Sequence, residues 1–265
     1  SIKGGYSNAI KQLNKFIEVG YQDYAKYRSD PSKEASSQLS PYFHSGQIST
    51  HEVFDKISEL ESWSPESINP KMVGRREGWW GSTENFESFM DELITWRELG
   101  YHTCVRRANY NQYSSLPEWA IKTLHEHSSD EREHIYSLDE LTYSQTHDEI
   151  WNAAQNQLRT QGVIQNYLRM LWGKKILEWT PNPQIALSYM ITLNDRYSLD
   201  GRDPNSYSGV FWILGRYDRA WGPERSIFGK IRYMTSDSTA RKFNLKPYLE
   251  KWGNESLGVS TSILK

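Results

Sequence analysis

The sequence predicts an all-α fold. Three observations carry that prediction. Apolar residues recur at helical spacing along most of the chain, no strand-type alternation persists, and Pro, Gly and Ser/Thr/Asp residues punctuate the periodic stretches. The 265 residues suit one large domain or two small ones. They are read here as a single helical domain over 1–265.

Residues 6–27 place Ile10, Leu13, Phe16 and Ile17 on one helical face, and Arg28-Ser29-Asp30-Pro31 ends that helix. A small-residue loop runs from Ala35 to Tyr42. A helix over 50–61 follows, capped by Ser49 or Thr50. Residues 62–83 are rich in Pro and Gly and read as an irregular excursion that Trp79 and Trp80 pack down. The next helix spans 84–104, with Phe89, Leu93, Trp96 and Leu99 recurring. Pro117 opens another. Thr146 to Glu149 reads as a capping box starting a helix that carries Trp151. A helix over 164–179 is closed by Thr180-Pro181, and Pro183 opens one that reaches Asn194. Residues 195–235 read as ordered loop with short helices, and 251–265 as a tail.

Aromatic residues make up 14% of the chain, with 11 Trp and 17 Tyr, against a hydrophobic content of only 37%. The core is therefore built largely from big rings. Lys+Arg number 31 and Asp+Glu 33, so total charge gives no general affinity for nucleic acid. A local patch remains. From 202 to 232 there are six basic residues (Arg202, Arg216, Arg219, Arg225, Lys230, Arg232) and three acids (Asp203, Asp218, Glu224), an excess of three. The single cysteine, Cys104, excludes a disulfide within the chain and a Cys-based zinc site. A reducing, intracellular compartment is expected, the cytoplasm in a bacterial or archaeal cell. No apolar run approaches the length of a membrane span, and Ser1 to Gly5 show no apolar signal core, so no membrane contact or secretion is expected.

His125, His127 and His134 cluster in sequence but lie among Glu126, Glu131, Arg132 and Glu133, a solvated stretch, so no metal site is expected. GxSxG, GxxxxGK[ST] and GxGxxG are absent, which leaves hydrolase, P-loop and Rossmann readings without support. The Ser36–Ser40 loop offers hydroxyls and backbone N–H groups to a phosphate, although a capped helix start is the plainer reading. Residues 194–205, NDRYSLDGRDPN, are dense in polar groups that suit a polar heterocycle; an ion-paired scaffold loop is the plainer reading there. Arg169, Trp172, Ile176 and Trp179 form a helical stripe of the kind that normally packs in a core.

Six separated motifs occur in order: SSQLSPYFHSGQIS (36–49), FMDELITWREL (89–99), THDEIWNAAQ (146–155), LRMLWGKKILEWT (168–180), LNDRYSLDGRDPNSYSG (193–209) and FGKIRYM (228–234). In this arrangement the chain resembles the flavin-binding domain of class II cyclobutane-pyrimidine-dimer DNA photolyases, from about residue 6 to 250. The resemblance implies a helical FAD domain. The α/β antenna domain that precedes it in that family is not found in these residues, and no antenna chromophore is expected here. It departs from the family at Ile164-Gln165-Asn166, in the loop after Trp212 and in the long 62–83 excursion.

The resemblance also implies roles. Tyr24, Arg28 and the loop of Ser36, Ser37, Gln38, Leu39 and Ser40 match the residues that hold the FAD diphosphate and ribose. Arg169 and Asp200 match an ion pair over the flavin, with Gly201 and Arg202 in the same loop. Asn194 matches the amide facing flavin N5. Glu92 matches the acid that hydrogen-bonds a pyrimidine carbonyl, Trp96 and Trp212 the rings that hold the flipped-out dimer, and Met170 touches it. Trp179, Trp151 and Trp172 match an electron-transfer chain from flavin to surface. Arg219 is expected to fill the hole left in the duplex. Asn166, Tyr167, Trp221, Arg225, Lys230 and Arg232 are expected to face DNA.

The implied activity is light-driven splitting of cyclobutane dimers in DNA by an electron from reduced FAD, by a monomer. In related enzymes, (6-4) photoproduct repair uses histidines four residues apart. Asn166 and Met170 stand at the matching positions, which favours the cyclobutane dimer. A blue-light receptor of the cryptochrome kind is the alternative, and dark flavin chemistry a third. Glu92, four residues before Trp96 on a helix, is expected to be desolvated and neutral, a donor to the dimer.

Overall fold

The computed structural model describes residues 2–75 and 77–254. The chain folds as two compact units, Ser1–Leu99 and Gly100–Lys265. Fourteen α-helices occur among the described residues, and the only extended pairing there is an isolated bridge between Arg225 and Gly229.

The first unit holds α1 (Tyr6–Lys15), α2 (Tyr24–Tyr27), α3 (Ser40–His44), α4 (Thr50–Leu60) and α5 (Glu84–Met90); α6 (Arg97–Arg106) starts at its end. Two helices expected to be continuous are interrupted. The 6–27 helix passes through a π turn at Phe16–Gly20 and a 3-10 turn at Tyr21–Asp23 before α2. The π turn brings residues five apart together, so Phe16 and Tyr21 meet edge to face with centroids 5.8 Å apart. Gly20 is required there: a Cβ would lie 2.7 Å from the Glu34 carbonyl oxygen. The 84–104 helix is likewise interrupted by a π turn at Asp91–Trp96. The extra residue rotates the apolar stripe, so Phe89 and Leu93 are buried while Leu99, expected on the same face, is exposed. Ser49 caps α4 and Thr83 caps α5. In the 62–83 excursion the Trp63 indole N–H donates to the Trp80 carbonyl at 2.7 Å, and the Trp63 ring stacks on Phe86.

The second unit holds α7 (Glu118–Glu126), α8 (Leu138–Thr142), α9 (Glu149–Gln161), α10 (Asn166–Glu178), α11 (Pro183–Tyr197), α12 (Pro204–Ile213), α13 (Ser236–Lys242) and α14 (Lys246–Trp252). Caps explain most starts. Gln165 accepts from two N–H groups of α10, and Asn182 and Asp203 cap α11 and α12, each with Pro at the first position. The capping box expected at Thr146–Glu149 is not formed. Asp148 is the cap, accepting from the Trp151 N–H at 2.9 Å, and the Thr146 hydroxyl turns to Asn152. Helix α9 ends on Gly162 in the left-handed region, and Leu199 N–H bonds back to the Gly162 carbonyl at 2.8 Å. Residues 195–235 are more helical than expected: α11 runs on to Tyr197, and α12 has ten residues. Helices α8, α13 and α14 were not anticipated from periodicity. The tail expected from 251 begins inside α14, and residues 255–265 lie outside the described residues. The core of this unit is centred on α9, α10 and α11, with Trp151, Trp172 and Trp179 inside it.

Candidate functional site

Three indoles occupy the middle of the second unit. Trp151 is 0% exposed, and Trp172 and Trp179 are 2%. The Trp151 N–H donates to the Trp172 carbonyl and the Trp172 N–H to Gln155 Oε1, both at 2.9 Å. The Trp151 and Trp179 rings meet at 5.7 Å. None of these rings reaches the surface. Beyond Trp179 the aromatic contacts continue to Tyr136 at 5.4 Å and His147 at 5.2 Å. His147 in turn meets His134 at 4.1 Å with the rings tilted by 37°, and the His134 side chain is 42% exposed. Burial, then the neighbouring His134, holds the His147 imidazole below its usual range.

A polar cluster gathers where α10, α11 and α12 pack. Arg169 donates to Asn194 Oδ1 at 3.2 Å and stands 4.0 Å from the Asp200 carboxylate. Asn194 is 2% exposed, and its amide N–H groups go to the Ser206 hydroxyl and Asp195. The amide expected to face a ligand is thus also a structural link between helices. Asp195 was not anticipated as a site residue. It accepts from the Arg202 backbone N–H at 3.1 Å and from Tyr207, and so shapes the 198–203 loop. Within the polar 194–205 stretch the sequence reading singles out Asn194, Asp200, Gly201 and Arg202, and nothing in the sequence distinguishes Asp195 from the other polar residues. Gly201 has no room for a side chain: a Cβ would lie 3.0 Å from both the Asn194 and Ser198 carbonyl oxygens.

The basic segment forms a turn and a hairpin-like loop. Trp221 N–H bonds to the Lys230 carbonyl at 2.9 Å, and Arg225 and Gly229 exchange backbone bonds. Two guanidinium groups lie over the Trp221 ring, Arg219 at 4.5 Å and Arg232 at 5.1 Å from its centroid. Asp130, also unanticipated, anchors this loop by accepting from the Ile227 N–H at 2.8 Å and from Ser226. That backbone bond, then His127, keeps its carboxyl below the usual range. Arg219, Arg225, Lys230 and Arg232 are exposed; Lys230 pairs with Glu224 at 3.2 Å. Trp212 and Met170 are half-buried, Asn166 is exposed, and Tyr167 packs on Phe243.

The first unit holds the remaining candidates. Tyr24 is buried, with Arg28 over its ring at 5.9 Å. Burial drives its phenol well above the usual range. Arg28 is ion-paired to Glu92, whose side chain keeps 36% of its exposure. The desolvated, neutral Glu92 expected from the sequence is therefore corrected to a partly exposed carboxylate paired with a guanidinium. Asp91 instead takes the Trp96 indole N–H at 2.8 Å, because the π turn brings residues five apart into contact. In the 36–40 loop Gln38 has a positive φ of 54°. Ser36 and Ser37 are half-buried, Ser40 is exposed and Leu39 is buried.

No group of three or more His, Cys, Asp or Glu suited to a metal occurs among the described residues, and no helix is long and apolar enough to cross a membrane. Arg169 has five N–H donors and directs one to Asn194. With the Asp200 carboxylate beside it, the cluster offers donors and an acceptor to a planar polar heterocycle.

No protein-family profile matches the chain. It is 41% identical over 249 residues to a deoxyribodipyrimidine photo-lyase of Methanothermobacter thermautotrophicus, covering 94% of this chain and 51% of that one. The corresponding protein of Potorous tridactylus is 39% identical over 250 residues, covering 94% and 43%. Cryptochrome-2 of Arabidopsis thaliana matches at 50% over only 50 residues, 19% of this chain and 8% of that one. In fold it is similar to a class III photolyase of Agrobacterium tumefaciens, with TM-score 0.66 and 18% identity over 94% of this chain and 44% of that one. The chain spans about half the length of the curated relatives it matches. Over nearly its whole length the chain is thus homologous to part of the deoxyribodipyrimidine photo-lyases, and its fold is that of the photolyase/cryptochrome proteins.

Proposed function

We propose that the chain binds FAD and takes part in light-driven repair of cyclobutane pyrimidine dimers in DNA, as a class II photolyase. The observation that carries this reading is the pairing, in one unit, of a buried tryptophan cluster with the Arg169–Asn194–Asp200 cluster, in a chain homologous to photo-lyases. The donor set fits a flavin: a guanidinium with N–H groups to spare, beside a carboxylate, suits the polar edge of its ring. In the first unit, the Ser36–Ser40 loop supplies hydroxyls for the diphosphate, and Tyr24 and Arg28 complete that contact. Bound FAD would supply the photochemistry and the single electron that a dimer needs to split.

The chain's own residues do the rest. Trp151, Trp172 and Trp179 are oxidisable rings held out of water. Arg219, Trp221, Arg225, Lys230 and Arg232 meet the DNA backbone, with Asn166 and Tyr167 at the start of α10. In the second unit Trp212 and Met170 are suited to contact the flipped-out dimer, where stacking on a ring contributes roughly 1–3 kcal/mol per base; the Trp96 ring of the first unit is suited to the same stacking. Glu92, as a carboxylate paired with Arg28, is suited to accept a pyrimidine N–H and not to donate to a carbonyl.

The test is illumination of the chemically reduced, FAD-loaded protein with an oligonucleotide carrying one cyclobutane dimer. Light-dependent return of the two pyrimidines is expected. A protein that holds FAD and binds the oligonucleotide but returns no pyrimidines would leave the receptor reading standing instead.

A further inference from the structure

Lys174 on α10 is fully buried, an unusual place for an ammonium group without a carboxylate in contact. It lies outside every role assigned above. Its ammonium donates to the Ile213 carbonyl, the last of α12. The other carbonyls at that end have backbone partners: Phe211 accepts from Leu214 and Arg216, and Trp212 from Gly215. Lys174 therefore completes the capping of α12, with its positive charge at the negative end of the helix dipole. The preceding residue makes the same crossing tight. A Cβ on Gly173 would lie 2.2 Å from Ile213 Cδ1, so the Ile213 side chain is seated directly on the α10 backbone at this point. Trp212 immediately precedes Ile213, and the 214–221 turn that carries Arg219 and Trp221 immediately follows it.

We infer that Lys174 is a positioning residue for lesion binding: it fixes Trp212 and the 214–221 turn through Ile213, and its buried charge is linked to the binding of a polyanion on that turn. The inference rests on the DNA-repair reading above. The charge is not neutralised locally. The charged groups that act on it are Asp218, which favours the ammonium, and Arg232, which opposes it. Burial is the dominant effect and holds Lys174 down to about 7. Phosphates approaching the turn favour the protonated form, so binding takes up a proton near neutral pH.

The sign for stability is the reverse of the usual one. A lysine whose folded value lies below its unfolded value weakens the fold while protonated in both states. Stability should rise with pH from about 7 to about 10, where the unfolded chain still holds the extra proton. Replacing the ammonium with an apolar chain of similar length relieves that cost.

The experiment measures binding of the FAD-loaded protein to a dimer-containing duplex from pH 6 to pH 9, for wild type, Lys174→Gln and Lys174→Met, with thermal unfolding of each. Wild-type affinity should weaken about tenfold across this range, as for a group whose proton affinity rises about tenfold on binding. Both variants should lose that slope. Lys174→Gln, which still donates to Ile213, should bind more tightly at pH 6 than Lys174→Met, and should not melt below wild type at that pH. A variant that keeps the wild-type slope, or a Lys174→Met protein that binds the dimer at pH 6 as wild type does, overturns the inference. If Lys174→Met fails to fold, the slope of Lys174→Gln decides alone. A wild-type protein with no preference for the damaged duplex sinks the repair reading itself, which is a different result from a flat slope with tight binding.

Discussion

Trp151 and Trp179 meet at 5.7 Å between ring centroids with their planes inclined at 68°, and neither is more than 2% exposed. Two indoles this close, excluded from water, are suited to pass an electron. The sequence reading gives them the same role but expects the chain to end at the surface. In the structure the exposed ring of the cluster is His134, reached through His147.

Trp179→Phe is expected to block photoreduction of oxidised flavin, because phenylalanine is far harder to oxidise than indole. Trp151→Phe and Trp172→Phe should do nearly the same. Repair by chemically reduced protein should survive all three changes. Transient absorption after a light pulse checks this, and a Trp179→Phe protein that photoreduces at the wild-type rate removes the electron-transfer role.

Arg169→Ala and Asp200→Ala should each weaken flavin retention. A hydrogen bond to a charged group is worth about 1.5–3 kcal/mol, which corresponds to roughly tenfold to a hundredfold in affinity. Asp195→Ala should do the same indirectly, by releasing the Arg202 backbone N–H and the Tyr207 hydroxyl. Flavin absorbance after gel filtration measures all three. Full flavin content in both the Arg169 and the Asp200 variants would show that the cofactor lies elsewhere.

The difference between Asp200 and Asp195 marks what is legible in a sequence. Helical class, most helix starts and the indole stripe follow from spacing and caps, which are local. Asp130 acts through contacts 96 and 97 positions on, so no window of sequence contains them. Asp195 reaches only 7 and 12 positions on, but through a loop that folds back without any periodic pattern to announce it. The two π turns escape for another reason. A single extra residue in a helix leaves composition and capping unchanged, and shows only as a rotated stripe, here at Leu99. The burial of Lys174 likewise has no local signal, since it depends on α12, to whose last carbonyl the ammonium donates.

Asp130 gives a pH dependence. Its carboxyl lies below its unfolded value, so the contribution is present above about pH 4 and is lost as pH falls through the folded value. The 225–229 turn should therefore open locally in mild acid, before the core unfolds. Hydrogen exchange at the Ile227 amide reports it. Asp130→Asn should remove most of the pH dependence of that exchange; an Ile227 amide equally protected at pH 3 and pH 6 in wild type contradicts the anchor.

Arg219→Ala should weaken binding to damaged duplex more than to damaged single strand, since a hole in the base stack exists only in duplex. The salt slope should fall by about one unit in both cases, through loss of a phosphate contact. Equal losses on the two substrates would reduce Arg219 to that contact alone.

Glu92 is the most revealing position, because the π turn changes what it does. On a regular helix, Glu92 would lean over Trp96 and reach the lesion as a neutral donor. The structure gives the Trp96 indole to Asp91 and gives Glu92 to Arg28. A carboxylate so paired has lone pairs to offer and no proton, so its match on a pyrimidine is the ring N–H. It also steadies Arg28, a proposed flavin contact. Both side chains keep some exposure, 26% and 36%, so the pair alone is worth only about 1 kcal/mol. Glu92→Ala should therefore lower flavin retention severalfold at most. Repair yield per bound flavin should fall further, because the acceptor for the lesion is gone. Glu92→Gln keeps an oxygen for Arg28 and should hold flavin like wild type, with an intermediate yield. Asp91→Ala frees the Trp96 ring and should weaken dimer binding while leaving the yield per bound dimer unchanged. Quantum yield normalised to bound flavin separates these outcomes. A normal yield in Glu92→Ala, with a reduced one in Asp91→Ala, would assign the lesion contact to Asp91 and leave Glu92 as a partner of Arg28 only.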